Sequence, residues 1–276
     1  MFDALSYEFM RHALLAGLLA SLACGIIGTL VVVNRVVFLA GAVAHAAYGG
    51  VGLAYFLGWP VLPCTMGFTL AASGVMARAT ADGGEGADTL IGALWACGMA
   101  LGIILLDLTP GYAADLMSYL FGSILAVPAS DLWLMAGLDA AILGLTLYFW
   151  KDLLAVSFDR EFAATRGVPV RAMHFLLLAM VGATVVMVIR VVGLIMVMAL
   201  LTIPTSMAQS GARSVGGMMW RAGLLSAGFC LAGLALAYAL DLTSGACIVA
   251  VAAAGFFAQR LALAARRSGG RAGAGA

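Results

Sequence analysis

Nine apolar runs of membrane length follow one another along this chain with little between them. A bilayer core of about 30 Å is crossed by about 20 apolar residues in a helix. By that measure residues 13–33, 37–57, 60–78, 88–107, 130–150, 172–190, 191–208, 219–240 and 243–263 are candidate spans. Inside lipid the backbone has no water to bond, so such a series folds as a bundle of helices. Only 10% of residues are charged and 64% are hydrophobic, whereas a soluble domain carries about 25% charge. The chain reads as an all-α polytopic membrane protein of about eight to nine transmembrane helices. Residues 1–276 form a single transmembrane domain, with 265–276 expected as a disordered cytoplasmic tail.

Two stretches depart from the simple pattern. DLMSYLFGSILAV (115–127) is too short to span and too apolar for an exposed loop. It reads as a short re-entrant or broken helix surrounded by protein. The division at 190/191 rests on length alone, and Pro204 is expected to end the 191–208 run as a half-helix. The N-terminal MFDALSYEFMRH carries Asp3 and Glu8 and no basic n-region, so the first run reads as a retained span rather than a signal peptide.

Charge sets an orientation. Arg35, Arg78, Lys151, Arg160, Arg166, Arg171, Arg213, Arg221, Arg260, Arg266, Arg267 and Arg271 all fall on the side of the Asn34–Arg35 turn, leaving only Arg11 and Arg190 of the 14 basic residues. The positive-inside rule then puts the N-terminus outside and the C-terminus in the cytoplasm.

Several functions are disfavoured. A net charge of +1 without an acidic or basic tail gives nucleic acid no footing. The cysteines stand singly, without CxxC, which argues against a disulfide framework or a thiolate metal site. There is no P-loop, and the longest connection, 151–171, cannot hold a nucleotide-binding domain. Neither GxSxG nor HExxH is present, so an intramembrane enzyme is a weak reading. Any ATP must be used by a partner.

Chemistry concentrates in AGAVAHAAYGG (40–50). On a helix Gly41, His45, Gly49 and Gly52 share one face, at i, i+4, i+8 and i+11. Such a small-residue face admits a close helix neighbour, and it turns His45 toward the bundle near the middle of the span. Ionisable groups at that depth tend to mark ion or substrate pathways, and imidazole suits zinc and other divalent first-row metals. A histidine hydrogen-bonded to a neighbouring helix would serve packing alone, and both readings stand. Asp139 is the one carboxylate deep in a span. It is either a pathway acid or a structural group, paired or carried neutral. Asp107, Asp115, Asp131 and Asp241 lie near external ends, as helix caps or as a cation-attracting mouth. His174 reads as interfacial, and His12 sits beside Arg11 at the start of the first span. Methionines such as Met180, Met187, Met196 and Met198 read as lipid-facing or core. VSFDREFAATRGVPVR (156–171) predicts a short helical turn closed by Gly167 and Pro169. IPTSMAQSGARSVGG (203–217) is either a connector or a short surface helix offered to a cytoplasmic partner.

FLAGAVAHAAYGGVGLAY (38–55), DLMSYLFGSILAV, VSFDREFAATRGV (156–168), VVGLIMVMALLTIPTSMA (191–208) and YALDLTSGACIV (238–249), in that order, resemble the membrane permease of bacterial ABC importers for zinc, manganese or iron. The resemblance covers nearly the whole chain. It implies a type II ABC-importer-like permease in the bacterial cytoplasmic membrane, pairing with a second copy of itself. It also implies cytoplasmic ABC ATPase subunits, where ATP is hydrolysed, and an extracytoplasmic metal-binding protein; the chain itself would hold no cofactor. The ATPase-docking surface carries over onto Pro204–Gly217, with Pro204, Thr205, Ser206, Gln209, Ser210, Gly211 and Arg213 as coupling residues. His45 matches the histidine of the family's Asp-x-x-x-His metal site, and Gly41 stands where the aspartate would be. Gly49-Gly50 replaces a Pro-Gly, and Ser123 stands at the acid of the short helix. This loss of oxygen ligands favours zinc over manganese or iron as cargo. The alternative is an ATP-independent secondary transporter or channel for a metal ion, which inverted repeats would favour; none is evident.

Overall fold

A computed structural model describes residues 7–80, 87–109, 122, 124 and 127–272. Every regular element among the described residues is helical. In chain order these are α1 (Glu8–Val33), α2 (Val37–Leu57), α3 (Val61–Thr80), α4 (Ala87–Asp107), α5 (Ala129–Tyr148), α6 (Trp150–Phe158), α7 (Arg160–Thr165), α8 (Val170–Val192), α9 (Leu194–Gln209), α10 (Val215–Leu240) and α11 (Ser244–Ala272).

Seven of them, α1, α2, α4, α5, α8, α10 and α11, are long and apolar enough to cross a membrane. The other two expected spans exist as helices but fall short for different reasons. Helix α3 has the length, at 20 residues, but buries Thr65, Thr69 and Ser73 on its inner face. The Thr65 and Thr69 hydroxyls donate to Val61 O and Thr65 O one turn back, which lets polar side chains sit inside the bundle. Helix α9 has only 16 residues.

The structure corrects three sequence expectations. The break between α8 and α9 falls at Gly193, whose φ of 87° and ψ of 164° suit glycine alone. Pro204 does not end α9; it lies inside a helix that continues to Gln209. Proline removes the bond to the Leu200 carbonyl, but α9 is wedged among α1, α10 and α11, and packing of that kind holds a helix together through a proline. Helix α11 runs to Ala272, into the expected disordered tail, because extending an existing helix escapes the cost of nucleation. Of the 115–127 stretch only Gly122, Ile124 and Val127 are described, so the expected re-entrant helix, with Ser123, lies outside the described residues.

Helix α1 is the central post. It packs against α10, α9, α8 and α5, while α2 packs against α4, α3, α8 and α9. Ala13, Ala16, Ala20 and Ala23 of α1 are fully buried, and a Cβ on Gly25 would lie 2.7 Å from the Gly223 backbone of α10. With little side chain between them the backbones approach closely.

The connections predicted to share one side do meet at one end of the bundle. Asn34 Nδ2 donates to Ser157 Oγ at 2.8 Å, joining the α1–α2 turn to α6. Thr80 at the end of α3 bonds His174 in α8 at 2.9 Å. Val32 and Val33 pack on Ala208, Met218 and Ala222 around the α9–α10 connection. Asp159 caps α7 by accepting from the Phe162 N–H at 2.9 Å, which forms the short helical turn expected within 156–171.

Candidate functional site

The glycine face of α2 meets α4. A Cβ on Gly49 would stand 2.9 Å from Gly98 O, and one on Gly52 would run into the Gly102 carbonyl. Seen from α4, a Cβ on Gly98 would lie 2.6 Å from Ala46 Cα, and one on Gly102 2.6 Å from Tyr48 O. Two small-residue faces therefore interlock. The α4 half, Gly98-Met-Ala-Leu-Gly102, is a small-xxx-small signature that was legible in the sequence and was passed over.

His45 lies at the edge of this seam, partly buried. Its Nδ1 stands 2.9 Å from Gly41 O. A carbonyl only accepts, so Nδ1 donates, and the neutral ring then carries its lone pair on Nε2. The ring stacks on Trp95 of α4, centroids 4.1 Å apart and planes 27° from parallel. One turn earlier, a Cβ built on Gly41 would meet Met198 Cε at 3.2 Å, Met198 Sδ at 3.6 Å and Trp95 Cζ3 at 3.6 Å. Helices α2, α4 and α9 thus bring an imidazole, an indole and a thioether to one small patch. Sequence reasoning found the histidine and missed Trp95. It treated Met198 as lipid-facing or core; Met180 and Met187 are buried in the core, and Met198 packs partly buried against it, beside Gly41.

Asp139 sits elsewhere. It lies on the buried face of α5 with Met135, Ile142 and Thr146, within electrostatic reach of Cys24 on α1. Neither carboxylate oxygen has a hydrogen-bond partner. Among the described residues no three His, Cys, Asp or Glu side chains gather as a metal-holding group. His174, expected at the interface, is buried instead. Its Nε2 bonds Thr80 Oγ1 at 2.9 Å, and its Nδ1 faces Arg160 Nη2 at 3.4 Å. These contacts tie α7 and α8 to α3, a structural duty. His12 lies 3.9 Å from Glu8.

The expected coupling residues divide. Pro204 and Thr205 are buried, the Thr205 hydroxyl donating to Leu201 O, so they lie inside the bundle rather than on its surface. Ser206 is partly buried, while Gln209, Ser210, Gly211 and Arg213 are exposed. Residues 210–214 form a connector, not a surface helix. Ser214 Oγ then caps α10 by accepting from the Gly217 N–H at 3.1 Å. Beside the connector is a cleft of about 430 Å³ lined by Met207, Ala208, Ser210, Gly211, Arg221, Leu224, Leu225 and Gln259. Gln259 Nε2 donates to Met207 O at 3.3 Å and lies 3.0 Å from Ser210 Oγ, and the Arg221 guanidinium donates to Gly211 O. Neither residue was singled out for a contact from sequence, because nothing local announces one across 10 positions for Arg221 or 49 for Gln259.

The pattern of the ABC 3 transport family matches residues 6–262. Over 252 residues, 91% of this chain and 90% of the relative, the sequence is 51% identical to the uncharacterized membrane protein slr2045 of Synechocystis sp.. It is 31% identical over 251 residues to the manganese transport system membrane protein MntC of Halalkalibacterium halodurans, covering 90% of this chain and 85% of that one. Among solved structures, PsaBC from Streptococcus pneumoniae in complex with Fab superposes with a TM-score of 0.85 at 30% identity, covering 94% of this chain and 93% of that chain.

Proposed function

Because the chain belongs to the ABC 3 transport family, we propose that it is the permease subunit of an ATP-driven importer of divalent transition-metal ions, with zinc as the preferred cargo. One observation carries the reading: His45 lies partly buried on a glycine-lined face, its Nδ1 held by Gly41 O so that the lone pair falls on Nε2, and its ring stacked on Trp95. A single fixed imidazole suits an ion in transit. Passage needs binding that is favourable enough to enter and weak enough to leave. Relatives named for manganese transport support a metal cargo. The absence of any side chain at Gly41 leaves an imidazole without a neighbouring carboxylate, and that is the argument for zinc over manganese.

In this reading a second copy of the chain completes the pathway, an extracytoplasmic metal-binding protein delivers the ion, and ABC ATPase subunits dock on the exposed connector from Gln209 to Arg213. The end of the bundle that gathers Arg35, Arg78, Arg160, Arg213 and Arg221 faces the cytoplasm.

The test is uptake into proteoliposomes holding the permease with its ATPase and binding protein, comparing zinc, manganese and iron(II) with and without ATP. ATP-dependent zinc accumulation, lost in His45→Ala with assembly intact, is the expected result. Uptake indifferent to ATP would replace this reading with a secondary transporter.

A further inference from the structure

We propose that Met198 sets the ion preference beside His45, its thioether standing in the place that a side chain at position 41 would occupy and serving as the second donor to the passing ion. The inference rests on the pathway reading of His45 and adds the residue that decides which ion is accepted.

Three observations place Met198 there. Gly41 and His45 are one turn apart on the same face of α2, and the Met198 Sδ and Cε atoms approach the Gly41 Cβ position at 3.6 and 3.2 Å. Trp95 touches both ends of this patch, with Cζ3 3.6 Å from that same position and its ring stacked on His45 at 4.1 Å. Imidazole, indole and thioether therefore form one continuous lining. Met198 is also only partly buried, packed against the margin of the hydrophobic core, whereas Met180 and Met187 are enclosed within it.

The chemistry follows from the donor set. An imidazole nitrogen and a thioether sulfur are neutral donors, the sulfur soft. Thioether suits zinc or copper(I), while manganese favours carboxylate, carbonyl and water oxygens. A carboxylate introduced at position 41 would compete with Met198 for the same space, since 3.2 Å to Cε is tight and only the flexible end of Met198 can yield. Glycine at 41 and methionine at 198 thus act together: the first vacates a place and the second fills it with sulfur.

The experiment is the zinc-to-manganese uptake ratio of the full complex in proteoliposomes at limiting metal. Met198→Leu keeps the volume and removes the sulfur. The ratio should fall about tenfold, equivalent to about 1.4 kcal/mol. Gly41→Asp combined with Met198→Ala should move the ratio toward manganese further than Gly41→Asp alone, because the alanine frees the space. An unchanged ratio in Met198→Leu overturns the proposal, even where His45→Ala abolishes import and so upholds the pathway reading. Should Met198→Leu fail to assemble, Met198→Gln supplies an oxygen donor of similar reach: a shift toward manganese supports the proposal and an unchanged ratio overturns it. Normal import by His45→Ala would overturn both.

Discussion

Gly52→Ala adds a single methyl group at the tightest point of the α2–α4 seam. Its Cβ would lie 2.7 Å from Gly102 Cα and closer still to the Gly102 carbonyl. These are backbone atoms with no rotamer to escape into, so the two helices must separate. Overpacking of a well-packed site costs about 1–3 kcal/mol, and alanine returns about 0.8–1.0 kcal/mol of helix propensity over glycine. The net expectation is a loss of up to about 2 kcal/mol. The control is Gly144→Ala on the exposed face of α5, where a Cβ meets nothing within 4 Å; there only the propensity gain of up to about 1 kcal/mol operates. Each kcal/mol moves a melting midpoint by about 2–4 °C in a chain of this size class. The two variants, purified in the same detergent, should therefore separate by several degrees, with Gly144→Ala the higher. Trp95, Gly98 and Gly102 lie on one face of α4, so parting the seam also draws the indole away from His45. Tryptophan fluorescence should shift, and metal import should fall with the midpoint. A Gly52→Ala protein that melts at or above the Gly144→Ala control would show that the seam is not tight and that small residues are not what positions the histidine.

Other perturbations probe different parts of the molecule. Asp139→Leu removes two buried oxygens without partners and should raise the melting midpoint, since an unsatisfied buried polar group costs about 1–3 kcal/mol; a lower midpoint would mean that the carboxyl is satisfied in the assembled transporter, and lost import in a stable variant would put it in the pathway. Gln259→Leu deletes the donor to Met207 O and should cost about 1 kcal/mol while lowering the metal moved per ATP hydrolysed; unchanged coupling would make the contact purely structural. Substitution of Gln209 or Arg213, both exposed, should weaken ATPase stimulation with little change in stability, and full stimulation would move the docking surface elsewhere. Thr80→Val breaks the bond to His174 and should destabilise by about 1 kcal/mol without changing ion preference; a changed preference would contradict the structural role given to that histidine.

The order of the helices, most of their boundaries to within a few residues, and the meeting of the connections on one side were legible in the sequence. So was the close-packing face of α2. All of these depend on local rules: apolar length against bilayer thickness, charge against the membrane, and helical periodicity. Pro204 shows where a local rule fails, because packing against α1, α10 and α11 outweighs the bond that proline removes. Helix α3 shows another limit, since its threonines lower the hydropathy of a helix whose inner face the bundle accommodates. The surroundings of His45 were beyond reach for a more basic reason. Periodicity says which residues share a face but not which distant helix covers it. That α4 brings Trp95, that α9 brings Met198 to the place left open by Gly41, and that Asp139 is turned away toward α1 are outcomes of how the helices pack on one another. By itself the sequence determined a membrane bundle with a histidine on a glycine face; only the tertiary structure decided what that histidine meets, because ligand neighbours are set by long-range packing.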